Sequence, residues 1–154
     1  MVKSISVGSA PVHVLLVEDS PGDVRLTQEA LRDSERAVDL HVAYDGIDAM
    51  AFLKREGRHL CAPRPDLILL DLNLPRMDGR EVLIQIKTSQ ELRSIPVIIL
   101  TTSQAEADIT KSYQLQANCF LSKPVQLDAF EDLVKSVNEF WMKRAKLPSQ
   151  GARS

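Results

Sequence analysis

The sequence predicts an α/β fold in which helices cover both faces of a parallel sheet. Short aliphatic runs alternate along the chain with longer stretches whose apolar residues recur three and four positions apart. The first pattern is typical of buried strands, and the second is typical of amphipathic helices. The two patterns alternate five times, with connections long enough for crossovers between parallel strands. The 154 residues and their 44% hydrophobic content suit one globular domain.

Five segments are predicted strands. One of them, Val38–Tyr44, alternates apolar with polar residues, so we expect one of its faces to be less buried and the strand to lie at the sheet edge. The other four are short apolar runs, which suit strands covered on both faces. They are His13–Val17, Leu67–Leu70, Val97–Leu100 and the weaker Asn118–Leu121.

Five helices are predicted after these strands. The first has clear start signals, because Ser20 can cap the free N–H groups, Pro21 suits the first helical position and Asp23 faces the positive end of the helix dipole. The last helix carries the longest apolar stripe. The apolar positions, helix by helix, are Leu26, Ala30 and Leu31; Ile47, Met50 and Leu53; Val82, Leu83 and Ile86; Ile109 and Tyr113; Leu127, Phe130, Val134, Val137 and Trp141.

Composition limits the classes of function. Basic and acidic residues number 19 and 21, and the net charge of −2 leaves no positive excess for phosphate backbones, so we expect no nucleic-acid partner. Cys61 and Cys119 form no CxxC pair, and we expect both to be reduced. No secretion signal and no membrane-spanning apolar run is visible, which favours a cytoplasmic protein without a membrane partner.

The chain ends differ from the rest of the sequence. Residues 1–11 are expected to form an N-terminal extension, residues 12–145 the folded domain and residues 146–154 a C-terminal tail. Both ends are low-complexity candidates, and the first mixes serine, glycine and lysine with isolated apolar residues. Chain ends of this kind commonly lie outside a packed core.

Polar residues follow the predicted strands where each strand ends. In an open α/β sheet the carboxyl ends of parallel strands share one edge, and ligands bind in the crevice there. Residues far apart in sequence are therefore expected to share one pocket. They are Glu18, Asp19, Asp71, Thr101, Thr102, Ser122 and Lys123.

The three acidic residues of this group require a counterion. Carboxylates about 5 Å apart repel by about 3 kcal/mol per pair at an effective dielectric constant of 20. Oxygen ligands without His or Cys favour a hard divalent cation, and few carboxylates favour Mg²⁺. A cation and the Lys123 ammonium beside Asp71 are the groups needed to hold a phosphoryl group during attack by a carboxylate oxygen. The expected product is an aspartyl phosphate.

The motifs that carry these residues resemble the receiver domain of two-component response regulators over about residues 12–142. The motifs are Leu15–Ser20, Leu69–Pro75, Asp78–Gly79, Ile99–Ser103 and Leu121–Pro124. Three segments are similar in sequence to the single-domain regulators that pair with phytochrome-type histidine kinases. They are Arg64–Pro75, Asp78–Leu83 and Phe140–Trp141. The resemblance implies a flavodoxin-like fold with a five-stranded sheet of order 2-1-3-4-5 and five helices.

The resemblance also implies roles for individual residues. Asp71 would be the phosphoacceptor, and Asp19 and Asp71 would bind Mg²⁺ directly. Glu18 would act through water and the backbone carbonyl of Asn73 would complete the metal ligands. Thr101 and Lys123 would contact the phosphoryl group, Phe120 matches the aromatic switch position, and the bond before Pro124 would be cis, as is typical in this family. The residues concerned are present at the matching positions.

Three positions depart from the commonest family pattern. Glu18 stands where aspartate is more frequent, and Phe120 lacks a tyrosine hydroxyl, so a switch there would work by packing. Thr102 is larger than the usual small residue and is expected to narrow access to the phosphoaspartate, which would slow its hydrolysis.

Leu133 and Phe140 flank the apolar stripe of the last helix, and at least one of them is a candidate dimer contact.

The sequence thus favours a single-domain response regulator that accepts a phosphoryl group from a histidine kinase, of the phytochrome type by resemblance, and signals by partner binding or homodimerisation. It would be no enzyme beyond its own phosphorylation and dephosphorylation. The alternative is an interaction module of receiver fold that works without phosphorylation. A haloacid-dehalogenase phosphatase is disfavoured because Asp71 follows the third strand and Asn73 replaces the second aspartate of that motif. A flavin site is disfavoured by Glu18 and Asp19.

Overall fold

The computed structural model describes residues 11–32, 37–102, 106–124 and 126–144. Its five strands form one sheet of order β2-β1-β3-β4-β5, and each neighbouring pair is parallel. The predicted topology is confirmed. The strands are β1 (Val12–Val17), β2 (Val38–Ala43), β3 (Leu67–Leu70), β4 (Val97–Thr101) and β5 (Cys119–Ser122).

Helices follow each strand, as the sequence pattern predicts. A short 3₁₀ turn at Gly57–His59 lies between α2 and β3, and the chain continues beyond α5 as a π-helix over Glu139–Arg144. The helices are α1 (Pro21–Arg32), α2 (Gly46–Lys54), α3 (Gly79–Thr88), α4 (Glu106–Gln114) and α5 (Leu127–Asn138).

The sheet separates two apolar layers. On one face, side chains of β1, β3 and β4 pack against buried residues of α2 and α3, among them Phe52 and Ile86. On the other face, Val24 of α1 and Val137 of α5 pack against the sheet. β3 is buried along its whole length, whereas β2 at the sheet edge is mostly half-buried. The expectation that the alternating segment forms an edge strand is confirmed.

Helix α5 corrects part of the predicted core. Phe130, Val134 and Val137 are buried, but Leu127 is 65% exposed, because it lies in the first turn, ahead of the buried positions. Trp141 is half-buried and lies in the π-helix rather than in α5. Ile47 and Tyr113, which were also predicted on apolar stripes, are exposed.

The predicted start of α1 is confirmed. The Ser20 hydroxyl accepts a hydrogen bond from the Asp23 N–H at 3.3 Å, and Pro21 is the first helical residue. Aspartates begin the next helices in the same way, Asp45 before α2 and Asp78 before α3. Within the described ranges, no helix combines the length and apolarity that crossing a membrane would need.

A pair of histidines joins β1 to the edge strand β2. Nδ1 of His13 in β1 is 3.2 Å from Nε2 of His41 in β2, and the His41 ring packs against Phe52. Burial and the neighbouring His13 lower the pKa of His41, and Asp39 opposes them. The folded state therefore resists protonation of His41.

We expect His41→Gln to remove part of the stability loss that acidification causes. Because the folded state lowers the pKa of His41, the unfolded chain takes up this proton first as the pH falls below about 6.5. The stability that neutral His41 contributes is fully present above that pH. It is lost as the pH falls from there to the lower pKa of the folded state. Urea unfolding at about pH 8 and about pH 5 measures the effect, and the parent should lose more stability than the variant. Equal losses would contradict the expectation.

Candidate functional site

Three carboxylates converge at the carboxyl ends of β1 and β3. Glu18 and Asp19 follow β1, Asp71 follows β3, and these strands are neighbours in the sheet. Each of the three residues offers an oxygen, and these oxygens all lie within 4.8 Å of one another. Glu18 and Asp71 are buried, whereas Asp19 is exposed. The arrangement brings two buried acids and one solvated acid to a single point.

The ammonium of Lys123 lies between these acids. Its Nζ donates to Oδ2 of Asp71 at 3.0 Å, to Oδ2 of Asp23 at 2.9 Å, and to Oε2 of Glu18. The Lys123 side chain is only 5% exposed. Its backbone N–H donates to the Thr101 carbonyl at 2.8 Å, which ties the end of β5 to β4. Lys123 therefore provides the positive charge that this group of acids needs.

Burial and neighbouring charges shift the pKa values of Glu18 and Lys123. Desolvation raises the pKa of Glu18 to about 7, an effect that Lys123 opposes and the charge of Asp71 reinforces. Burial acts to lower the pKa of Lys123, but its hydrogen bonds to Glu18 and Asp23, with the charges of Glu18 and Asp71, raise it above the ordinary value. Lys123 therefore carries its positive charge at neutral pH.

Backbone contacts orient the Asp71 carboxylate. The Asp71 N–H donates to the Val17 carbonyl at 3.0 Å, and the Asn73 N–H donates to Oδ1 of Asp71 at 3.1 Å. The Gly79 N–H donates to the Leu72 carbonyl at 2.9 Å, and a Cβ at position 79 would overlap the backbone oxygen of Asp71. Only glycine permits this close approach. The Asp78–Gly79 motif thus lets the start of α3 pack directly against the strand end that carries Asp71.

The remaining predicted site residues surround the acids at different depths. Thr101 is fully buried, and its Oγ1 accepts from Nδ2 of Asn73 at 3.4 Å, while Thr102 beside it is exposed. Phe120 is half-buried, packs against the core between the sheet and helices α2 and α3, and donates its N–H to the Tyr113 hydroxyl at 3.1 Å. The roles assigned to these residues stay predictions.

The structure corrects the peptide bond before Pro124. The bond was expected to be cis, but the described residues contain no cis peptide, so the Lys123–Pro124 bond is trans. Trans is the more stable form of an X–Pro bond by about 0.5–1 kcal/mol. The Lys123 ammonium contacts Glu18, Asp23 and Asp71 with the trans bond in place.

Sequence reasoning missed the contact of Asp23 with Lys123. The sequence assigned Asp23 only to the helix dipole of α1, yet its carboxylate is one of the three that bind Lys123. A signal was present, since Asp23 lies in the first turn of the helix that directly follows Glu18 and Asp19. The two candidate dimer residues differ in exposure. Phe140 is 53% exposed, whereas Leu133 is half-buried against the core.

The donor set fits a hard divalent cation. The three acids offer only oxygen atoms, and the exposed Asp19 leaves room for water ligands, as Mg²⁺ prefers. A cavity of about 930 Å³ lies elsewhere, lined by residues such as Leu53, Arg64 and Leu92 near the ends of α2 and α3. None of the acids lines it, so it is separate from this site.

Comparison with known proteins points to one family. The sequence matches the family described as "Response regulator receiver domain" over residues 14–135. It is 48% identical over 139 residues to the response regulator Rcp1 of Synechocystis sp. strain PCC 6803, an alignment that covers 90% of this chain and 95% of Rcp1. It is also 37% identical to the probable methanogenesis regulatory protein FilR2 of Methanothrix harundinacea, with 86% and 84% covered.

Solved structures agree with the sequence comparison. The crystal structure of the Mn²⁺-bound form of Rcp1 superposes with a TM-score of 0.89 at 47% identity, covering 90% of this chain and 100% of that chain. The phosphorylated cyanobacterial phytochrome response regulator RcpA gives a TM-score of 0.89 at 48% identity, with 91% and 100% covered. The bacteriophytochrome response regulator RtBRR gives 0.71 at 38% identity, with 94% and 88% covered.

We expect Asp71→Asn to raise the melting temperature of the protein in the presence of a chelator. The variant removes one of the crowded negative charges, while the asparagine oxygen can still accept from Lys123. Lys123 also keeps its contacts with Glu18 and Asp23. Asp128→Asn, an exposed acid in the first turn of α5, is the control. A lower melting temperature for Asp71→Asn would contradict the role given to charge crowding.

Proposed function

The chain belongs to the response regulator receiver family, and from this premise we propose that Asp71 is the residue that accepts the phosphoryl group. A receiver domain of this family takes up a phosphoryl group, and the relatives include regulators of phytochrome signalling. The observation that carries the assignment is the Lys123 ammonium, which joins Asp71 to Glu18 within a group of acids that could hold a cation. Asp71 is the member of that group at the end of the central strand β3.

The proposed transfer step is a displacement at phosphorus. A carboxylate oxygen of Asp71 forms a bond to phosphorus while the N–P bond to a phosphorylated histidine breaks. The electron pair stays on that imidazole nitrogen, and the other ring nitrogen carries a proton, so the histidine leaves as a neutral imidazole. Lys123, already 3.0 Å from Oδ2 of Asp71, neutralises a phosphoryl oxygen. Thr101, on the neighbouring strand, donates its hydroxyl to another. Support for both roles comes from the pairing of β4 and β5, which ends with Thr101 opposite Ser122, next to Lys123.

A divalent cation would bind on the open side of the same group. We propose Mg²⁺, held by Asp19 and Asp71, by Glu18 through water, and by the backbone carbonyl of Asn73. When bound, the cation would offset the charge of the acids and of the phosphoryl oxygens. Support comes from the oxygen-only donor set and from the Mn²⁺-bound form of the relative Rcp1.

The partner that supplies the phosphoryl group is proposed to be a histidine kinase of the phytochrome type. Support comes from RcpA, described as a phytochrome response regulator, and from RtBRR, described as a bacteriophytochrome response regulator. The phosphoryl group is then lost slowly to water, and the exposed Thr102 beside the site limits the approach of that water. We place this exchange in the cytoplasm.

Output is proposed to pass through a homodimer formed by α4, β5 and α5. Thr101 ends the strand that pairs with β5, so changes at the phosphate reach this surface through one strand pair. Phe140 exposes 53% of its surface beyond α5 and stacks edge-on against Trp141. Burying such an aromatic side chain between two copies would be favourable.

We expect a small phosphodonor such as phosphoramidate to label the protein on Asp71 only when Mg²⁺ is present. Asp71→Asn should abolish labelling because it removes the nucleophile. Asp39→Asn, an exposed aspartate near the opposite ends of the strands, should label like the parent. Intact-mass spectrometry with and without chelator measures the product. Absence of labelling in the parent would favour the phosphorylation-independent interaction module instead.

We expect Phe140→Glu to shift the dimer toward monomer, because a buried carboxylate without a partner is costly. Light scattering over a concentration series, with and without a phosphoryl mimic, measures the shift. Leu60→Glu is the matched control, since Leu60 is 69% exposed and lies outside the proposed interface. A parent that stays monomeric under both conditions would reject the homodimer.

A further inference from the structure

Asp23 differs from the other two acids that bind Lys123. Glu18 and Asp71 belong to the group whose oxygens converge within 4.8 Å, whereas Asp23 is not a member of that group. Its carboxylate accepts from Nζ of Lys123 at 2.9 Å and is 31% exposed. Asp23 therefore binds the ammonium without belonging to the group that would bind the cation.

The backbone of Asp23 is held firmly at the start of α1. Its N–H donates to the Ser20 hydroxyl at 3.3 Å, and its carbonyl accepts from the Thr27 hydroxyl at 2.8 Å. Thr27 is buried. The backbone position is therefore fixed, and the short side chain presents its carboxylate to Lys123 from there.

An ammonium group has three donors, and Lys123 gives them to three carboxylates. During phosphoryl transfer two of those carboxylates acquire other partners, because Asp71 bonds to phosphorus and Glu18 faces the cation. Lys123 must then turn at least one donor toward a phosphoryl oxygen. Of its three acceptors, Asp23 is the one that these changes leave available.

We propose that Asp23 is a positioning residue that holds the Lys123 ammonium beside Asp71 throughout phosphoryl transfer. The inference rests on the proposed function, since it presumes that Asp71 is the acceptor. Without Asp23, the buried ammonium has only Glu18 and Asp71 as acceptors and moves closer to them. These are two of the acids that would bind the cation, so the ammonium then competes with the cation. Loss of Asp23 therefore weakens cation binding and misplaces the charge that meets the phosphoryl group.

The first measurement is the rate of labelling of the full chain by phosphoramidate at saturating Mg²⁺. Asp23→Ala is expected to slow labelling roughly tenfold, the lower end of the loss typical when a residue that orients a ligating group is removed. Asp23→Asn, which keeps the shape but not the charge, is expected to be slowed as well. Asp23→Glu restores the carboxylate and is expected to recover most of the rate.

The second measurement is the chemical shift of the Lys123 side-chain nitrogen. A purely structural role of Asp23 would leave this shift unchanged. The side-chain ¹⁵N resonance of Lys123 in metal-free protein is expected to move in Asp23→Ala and to return in Asp23→Glu. The affinity for Mg²⁺ alone, by calorimetry, is expected to fall in Asp23→Ala. Asp128→Asn removes an acid from the first turn of another helix and should change neither quantity.

The outcomes separate this inference from the proposed function. A parent that is not labelled on Asp71 overturns both. A parent that is labelled, with Asp23→Ala labelled at the same rate, overturns the positioning role alone. Slow labelling that Asp23→Glu does not rescue also overturns it, because the start of α1 would then matter and not the carboxylate. Melting curves of each variant show that the folded protein is being compared.

Discussion

The buried Lys123 ammonium is the interaction on which the rest of the site depends. Two buried carboxylates, Glu18 and Asp71, lie at adjacent strand ends, and each would carry a desolvation cost of several kcal/mol without a partner. Lys123 binds both of them and Asp23 as well. The site nevertheless keeps an excess of negative charge. That excess makes it receptive to a cation and, through the cation, to a phosphoryl group.

The fold brings these charges together by simple geometry. Parallel strands end at one edge, so residues that are 105 positions apart in sequence, Glu18 and Lys123, become neighbours. The order of the sheet places β1, β3, β4 and β5 side by side, and each contributes a polar group where it ends. Gly79 lets α3 approach the end of β3 without a clash.

The same strands connect the site to a distant surface. Thr101 is buried at the end of β4 and pairs in register with Ser122 of β5. Phe120 lies two residues earlier on β5, half-buried and linked through its backbone to Tyr113 of α4. The bond from Arg80 of α3 to Asp108 of α4, with Nε to Oδ1 at 2.8 Å, joins that helix to the start of α3. The strand end that carries Asp71 is thus connected through β4 to β5 and α4.

The fold class followed from the periodicity of the sequence, because buried strands and amphipathic helices have distinct periods. The strand order followed from the resemblance of the motifs to the receiver family. The sequence by itself determined the residue types at the strand ends, which share one edge in a parallel sheet. It also identified the start of α1 from Ser20 and Pro21. Three features were decided by the tertiary structure alone. Leu127 lies outside the core, because the apolar stripe of a helix does not show how far along the helix the sheet covers it. The bond before Pro124 is trans, since an X–Pro bond adopts either form at little difference in energy and its surroundings select one. Asp23 binds Lys123, because a contact between residues 100 positions apart depends on side-chain directions that no local pattern records.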